Sequence, residues 1–199
     1  MALSERSAGP DPVRLFRRWL AQARVAQPAW ANAMTLATAT SRGRPSARAV
    51  LLKAFDERGF VFFTDYRSRK GRELSRNARA ALVFAWPALR RQVRVEGRAS
   101  RVSAAESDAY FQTRSRGSQL AAAASRQSAV LRRRADLERR LRELRAGHAG
   151  RPVPRPRSWG GYRVTPDVIE FWQERPDRVH DRLRYWRVGT RWRRARLSP

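Results

Sequence analysis

The chain of 199 residues has no cysteine, which excludes disulfides and thiolate-held metals, and its only histidines are His148 and His180, too few for an imidazole-rich metal site. No apolar run approaches the ~20 residues of a membrane span, and the N-terminus lacks the apolar segment of a signal peptide, so the cytoplasm is the expected compartment. Acidic residues are scarce, 17 against 44 Lys+Arg, and the net charge of +27 makes nucleic acid or another polyanion a partner to weigh. Against that reading, the cations are spread over the whole chain, and no helix-turn-helix, zinc-finger or RNP-type motif is present. Most are expected to be an Arg-biased surface. Lysine is the rarest cation, with only Lys53 and Lys70.

What is present points to one globular domain, because 42% of residues are hydrophobic, with seven Trp and eight Phe. Both lysines fall in the stretch Ala47–Leu74. Ala47 to Phe55 reads as an apolar strand carrying Arg48 and Lys53, charges that an ordinary buried strand excludes. Phe60 to Thr64 reads as a second strand, and Asp56-Glu57-Arg58-Gly59 as the turn of a hairpin. Ser68-Arg69-Lys70 then opens a helix whose free N–H groups, dipole and two cations favour a phosphate. On spacing alone, a solvated edge hairpin with chance charges accounts for the pattern equally well.

Elsewhere, residues 1–11 are short and polar and are expected to be a flexible N-terminal segment, with residues 12–199 forming a single domain. Asp11-Pro12 caps an amphipathic helix bearing Val13, Phe16, Trp19 and Leu20 to about Ala26. Strands are expected at Ala33–Thr40, Ala80–Trp86 and Arg91–Val102, the last alternating so that Gln92 faces either solvent or a ligand. The helix from Ser68 ends by Asn77. Ser103 and Glu106 form a capping box for a helix carrying Tyr110 and ending near Arg114. A flexible Ser115–Ser118 segment precedes an Ala-rich helix. Ser128 to about Ala146 is expected to be helical, with Glu138 paired to Arg142, and Gly147–Ser158 is a Pro/Arg-rich linker. The C-terminal part returns to strands at Tyr162–Val164, Val168–Trp172, Asp181–Val188 and Trp192–Leu197. Arg178, His180 and Arg182 fall at spacing two, which on a strand places them on one face.

Several motifs follow in order along the chain: Asn32-Ala33-Met34, Gly43-Arg44-Pro45-Ser46-Ala47-Arg48, Val50-Leu51-Leu52-Lys53, Ser68-Arg69-Lys70-Gly71-Arg72-Glu73-Leu74, Arg91-Gln92-Val93-Arg94, Glu106-Ser107-Asp108, Ser125-Arg126-Gln127-Ser128, Trp159-Gly160-Gly161, Glu170-Phe171-Trp172-Gln173 and His180-Asp181-Arg182. Together they resemble the pyridoxamine 5′-phosphate oxidase family from about Asp11 to the C-terminus. The resemblance implies a mostly β fold with flanking helices, a split β-barrel that forms a homodimer with two FMN sites at the subunit interface. It implies that Arg48, Val50, Leu51, Lys53, Phe63, Thr64, Arg69, Lys70, Gln127 and Ser128 hold FMN, and that Gln92, Trp172 and Arg182 lie by its ring. It assigns the substrate phosphate to Lys53, Tyr110, Arg114 and Ser118, and the substrate ring to Arg178 and His180. The implied reaction takes pyridoxine or pyridoxamine 5′-phosphate to pyridoxal 5′-phosphate, with hydride transfer to the flavin and reoxidation by O2 to H2O2.

This sequence departs from the family pattern in three places. The N-terminus lacks an Arg-Arg-x-Tyr-type lid, Phe63 stands where tyrosine is usual, and Ala121–Ala124 replaces a Gly-Ala-Trp-Ala stretch. A related FMN oxidase of the phenazine-biosynthesis kind is therefore the alternative. A basic nucleic-acid-binding protein explains the charge but none of the motifs.

Overall fold

The computed structural model describes residues 2–199. Its elements in order are α1 (Glu5–Ala8), α2 (Pro12–Ala26), β1 (Ala33–Ala39), β2 (Pro45–Leu51), β3 (Ala54–Asp56), β4 (Gly59–Asp65), α3 (Arg69–Arg76), β5 (Arg79–Trp86), β6 (Arg91–Arg101), α4 (Ala104–Gln112), α5 (Arg116–Ala124), α6 (Arg134–Gly147), β7 (Trp159–Gln173), β8 (Asp181–Val188) and β9 (Arg191–Arg196). Antiparallel pairing runs β2-β1-β5-β6-β7-β4-β3, with β8 on the far half of β7 and β9 on β8. Since β2 and β3 are consecutive in the chain, the two ends of this order are joined covalently and the sheet curls into a split barrel.

The curl explains a difference from the sequence reading. Ala47–Phe55, expected as one strand, breaks at Leu52-Lys53 into β2, paired with β1, and β3, paired with β4. Lys53 N–H donates to Val61 O at 2.9 Å just after Leu52 N–H has donated to Asn32 O at 2.8 Å, so the break is where the chain crosses from one edge to the other. A second bend lies opposite Gly97, at the register shift between Glu96 and Gly97. A Cβ there would sit 2.0 Å from Thr165 O, so only glycine allows the approach. The two strands expected within Tyr162–Trp172 are the single bent β7, whose first half pairs with β4 and second half with β8.

Helix α2 closes one end of the barrel. Asp11 Oδ1 accepts from Val13 N–H at 2.8 Å and Pro12 takes the first helical position, which fixes the start. Its buried face is led by Phe16, whose ring lies 4.9 Å from each of Phe55, Phe60 and Phe84. Burying a phenylalanine stabilises by about 1.5–3 kcal/mol. A smaller core of Phe111, Leu120, Val153 and Trp159 lies beneath α4 and α5.

Three further expectations need correction. The segment before α2, read as flexible, is packed: Leu3 and Ala8 are buried, Tyr185 Oη donates to Gly9 O at 2.8 Å, and Arg196 pairs with Glu5 at 3.0 Å. Ser115–Ser118 is the capped start of α5, with Ser115 Oγ accepting from Ser118 N–H, not a flexible link. The helix expected from Ser128 begins at Arg134, because residues 125–133 turn away from helical geometry, Ser128 itself at φ 68°. Glu138 there pairs with Arg134 at 2.7 Å, one turn before rather than after it. No helix of the described residues is long and apolar enough to cross a membrane.

Candidate active site

A pocket of about 620 Å³ opens where the end of β2, β4 and the start of α3 meet α4, α5 and the loop after α5. It gathers many of the expected residues: Val50, Leu51, Lys53, Phe63, Thr64, Lys70 and Gln127 from the cofactor set, with Tyr110, Arg114 and Ser118 from the substrate set. Trp159, Asp65 and Ser115 also line it, and the sequence reading gave none of them a role.

The pocket is electrostatically one-sided. Its single acid, Asp65, is already bound to Arg67 at 2.8 Å, whereas no carboxylate among the described residues pairs with Lys53, Lys70 or Arg114. Lys70 is only 8% exposed. Its Nζ reaches Gln127 Oε1 at 3.1 Å and Thr64 Oγ1 at 3.3 Å, both neutral, and burial and then the neighbouring Arg48 lower its pKa. Arg114 has a buried Nη1 with no hydrogen-bond partner, and burial lowers its pKa too. Buried cations without a counter-charge are costly, so these groups are arranged for an anionic ligand.

Local sequence explains why Lys70 points inward. Ser68 Oγ caps α3 by accepting from Gly71 N–H at 3.2 Å. Gly71 permits the tight turn, because a Cβ there would lie 2.3 Å from Tyr66 O. The helix therefore starts directly below β4 with Lys70 facing Thr64.

Arg48 and Arg69, which the resemblance assigns to the cofactor, both have an acidic partner within the chain. Glu73 on α3 pairs with Arg48 at 3.3 Å and with Arg69 at 2.9 Å, and also accepts from Thr38 at 2.5 Å and Ser46 at 2.7 Å. Two cations, Arg48 and Arg69, thus share one carboxylate and Lys70 pairs with none among the described residues, which leaves two positive charges around the start of α3. Burial alone would raise the Glu73 pKa, but hydrogen bonds from Thr38, Arg69 and Ser46 hold it at about 2. The folded value lies below the ordinary 4.5, so the stabilisation is complete above pH ~4.5 and is lost as pH falls through ~2. Urea unfolding of Glu73→Gln should show a deficit on the order of 2–3 kcal/mol at pH 7 that shrinks towards pH 2. A deficit independent of pH would show that the carboxylate charge is not what holds this corner.

A second cluster lies on the sheet away from the pocket. Gln92, Trp172 and Arg182 are cross-strand neighbours, one on each of β6, β7 and β8. His180 packs on Trp172 with ring centroids 4.7 Å apart, and its Nδ1 accepts from Arg175 N–H at 3.2 Å. The neutral imidazole accordingly carries its proton on Nε2, ready to donate. Arg182 donates to Glu170 at 2.8 Å. Arg178 and His180 do not extend β8 as expected. They lie in the preceding turn, where Asp177 and Arg178 have φ of 56° and 61°. None of these five residues lines the pocket. Ser128 lies outside it too, in an adjoining depression with Arg126 and Arg132.

Comparison with known proteins agrees with this architecture. The family model described as pyridoxamine 5′-phosphate oxidase matches residues 20–147, and that described as the pyridoxine 5′-phosphate oxidase C-terminal dimerisation region matches residues 159–199. A Rubrobacter xylanophilus protein named pyridoxine/pyridoxamine 5′-phosphate oxidase is 62% identical over 197 residues, covering 99% of this chain and 91% of that protein. A Thermosynechococcus vestitus protein of the same name is 58% identical, covering 99% and 93%. Among solved structures, PhzG from Burkholderia lata, in complex with tetrahydrophenazine-1-carboxylic acid, superposes with a TM-score of 0.92 at 38% identity, covering 100% of this chain and 98% of that one. An FMN-binding, pyridoxamine 5′-phosphate oxidase-related protein from Nostoc punctiforme shares the fold at TM-score 0.74 and 20% identity, covering 92% and 97%. With two family models matched in order along the chain and relatives 62% and 58% identical over 99% of it, the chain belongs to the pyridoxamine 5′-phosphate oxidase family.

Proposed function

We propose that the protein is a homodimeric, FMN-dependent oxidase that converts pyridoxine 5′-phosphate or pyridoxamine 5′-phosphate to pyridoxal 5′-phosphate, with O2 as the final acceptor and H2O2 as product. The observation that carries this reading is the pocket with cations that no carboxylate among the described residues claims, in two sets, the buried Lys70 beside the start of α3 and the exposed Lys53 with the half-buried Arg114 beside α4. Two anion clamps in one pocket suit a phosphorylated cofactor and a phosphorylated substrate.

The residues fit FMN. Lys70, the α3 N-terminus and the Arg48–Glu73–Arg69 group offer about the positive charge that a phosphate dianion requires. Thr64, Gln127 and Ser128 supply hydroxyl and amide groups for a polyol chain, and Val50, Leu51 and Phe63 an apolar wall. The bound flavin supplies the hydride acceptor and passes the electrons to O2.

The protein's own contribution is orientation. Lys53, Tyr110, Arg114 and Ser118 hold the substrate phosphate, and the fixed phosphate sets where the pyridine ring lies. Arg178 and His180 grip that ring, His180 donating from Nε2 so that it positions the substrate and does not abstract a proton. Since Gln92, Trp172, Arg178, His180 and Arg182 stand apart from the pocket of their own chain, they serve the pocket of the partner, which makes dimerisation a condition of activity.

Anaerobic mixing tests the assignment. Pyridoxine 5′-phosphate and pyridoxamine 5′-phosphate should each bleach the yellow flavin under nitrogen, and admitting O2 should restore the colour. A flavin that stays oxidised with both rejects the substrate even if the fold is right. The likeness to PhzG favours one second reading, an oxidase of a phenazine-type substrate, and bleaching by a carboxylated dihydroaromatic reductant alone would select it.

A further inference from the structure

We infer that Trp159 is a positioning residue that aims Arg114 at the substrate phosphate through its ring, leaving the charge of Arg114 unspent. The inference rests on the proposed reading that Arg114 grips that phosphate.

The two arginine environments in and beside the pocket differ in kind. Arg48 and Arg69 are held by Glu73, a carboxylate that orients them and cancels part of their charge. Arg114 has no carboxylate partner among the described residues, yet it is not loose. Its Cζ lies 4.6 Å from the centroid of the Trp159 ring and 5.6 Å from that of Phe111. A guanidinium over an aromatic face is attracted by the ring quadrupole and constrained in plane, with its N–H fork still free to donate. The fork has an unused donor here, since Nη1 is buried without a partner.

Trp159 is itself fixed from several sides. It is 7% exposed and opens β7 opposite Asp65 of β4. Its ring stacks on Phe63 at 5.4 Å and an interplanar angle of 12°, and Arg155 donates to its carbonyl at 2.6 Å. Phe63 stacks in turn on Tyr110, over which Lys53 lies at 5.8 Å. An aromatic tier thus carries both cations of the substrate clamp, and a neutral anchor is the arrangement that keeps full charge for a dianion.

The test is a double-mutant cycle on the FMN-loaded enzyme, reading KM and kcat for pyridoxine 5′-phosphate and competitive inhibition by inorganic phosphate. Trp159→Met, which stays apolar and loses the ring, should raise KM and weaken phosphate inhibition by roughly three- to thirtyfold, with kcat within about twofold. In an Arg114→Ala background the same change should add nothing. Trp159→Phe should recover part of the loss. Equal increases in both backgrounds, or no increase in the wild-type background, overturn the inference. If Arg114→Ala itself leaves KM unchanged, the substrate clamp fails and this inference with it, whereas a raised KM in Arg114→Ala with none in Trp159→Met rejects the role of Trp159 alone. Should Trp159→Met not fold, Trp159→Phe decides, with an expected rise of about two- to threefold that disappears without Arg114.

Discussion

Unphosphorylated pyridoxine is expected to reduce the enzyme's flavin with a kcat/KM at least about a hundredfold below that of pyridoxine 5′-phosphate. A hydrogen bond to a charged group contributes about 1.5–3 kcal/mol, so even two such contacts, from Lys53 and Arg114, amount to roughly two decades or more. The effect should not be confined to KM. The phosphate contacts are distant from the reacting carbon, and their binding energy is what holds the pyridine ring in line, so losing them lowers kcat as well. Burial at Arg114 strengthens the expectation, because its buried Nη1 stands without a partner and an uncharged substrate leaves it desolvated and unmatched. Stopped-flow reduction rates across a concentration series of each compound check it. A ratio below about ten would mean that the second cation set serves something other than substrate.

Much of this was legible in the sequence because it is local. The cap at Ser68, the capping box of Ser103 and Glu106, and the alternation of Val93 and Val95 depend on neighbours a few residues away, and each lies where the pattern put it. The break at Leu52-Lys53 is not local: the run is uniformly β-prone, and only ring closure, which joins β1 to one side and β4 to the other, decides where it bends. Glu73 shows the same divide. Its pairing with Arg69 follows from i,i+4 spacing on a helix, but its bond to Arg48 spans 25 residues and a barrel wall, so Arg48 read as a cation in need of an anion when the fold had already supplied one. Trp159 was quoted as a motif and given no role for a similar reason, since the Arg114 that lies over it comes from a separate helix–loop segment. At the opposite cluster, Gln92, Trp172 and Arg182 align because three strands share a register that the resemblance implied and periodicity alone could not give.

That separation of clusters leads to the prediction with the sharpest contrast. Lys70→Glu reverses the buried charge beside α3 and should prevent FMN from loading, while Arg178→Ala should keep FMN but misplace the substrate ring. Each homodimer should retain less than about a hundredth of wild-type activity, the scale expected when a clamp or an orienting group is removed. Co-expression with two different tags allows the mixed dimer to be isolated. In a shared site the pocket comes from one chain and the Gln92–Trp172–Arg182 row, with Arg178 and His180, from the other, so the mixed dimer contains one doubly damaged site and one intact site. It should therefore show about half of wild-type turnover, with roughly one FMN per dimer, although neither parent is active. If each chain built its own site, both sites of the mixed dimer would carry a lesion and turnover would stay near a hundredth. The roughly fiftyfold gap between the two outcomes far exceeds any effect of tags or stability, and the flavin content, read from the visible spectrum, distinguishes a lost cofactor from a lost substrate contact. Arg178 makes this choice of variant informative: its φ of 61° and its place in an exposed turn leave it no role in the core, so an inactive Arg178→Ala homodimer reports on the site and not on folding.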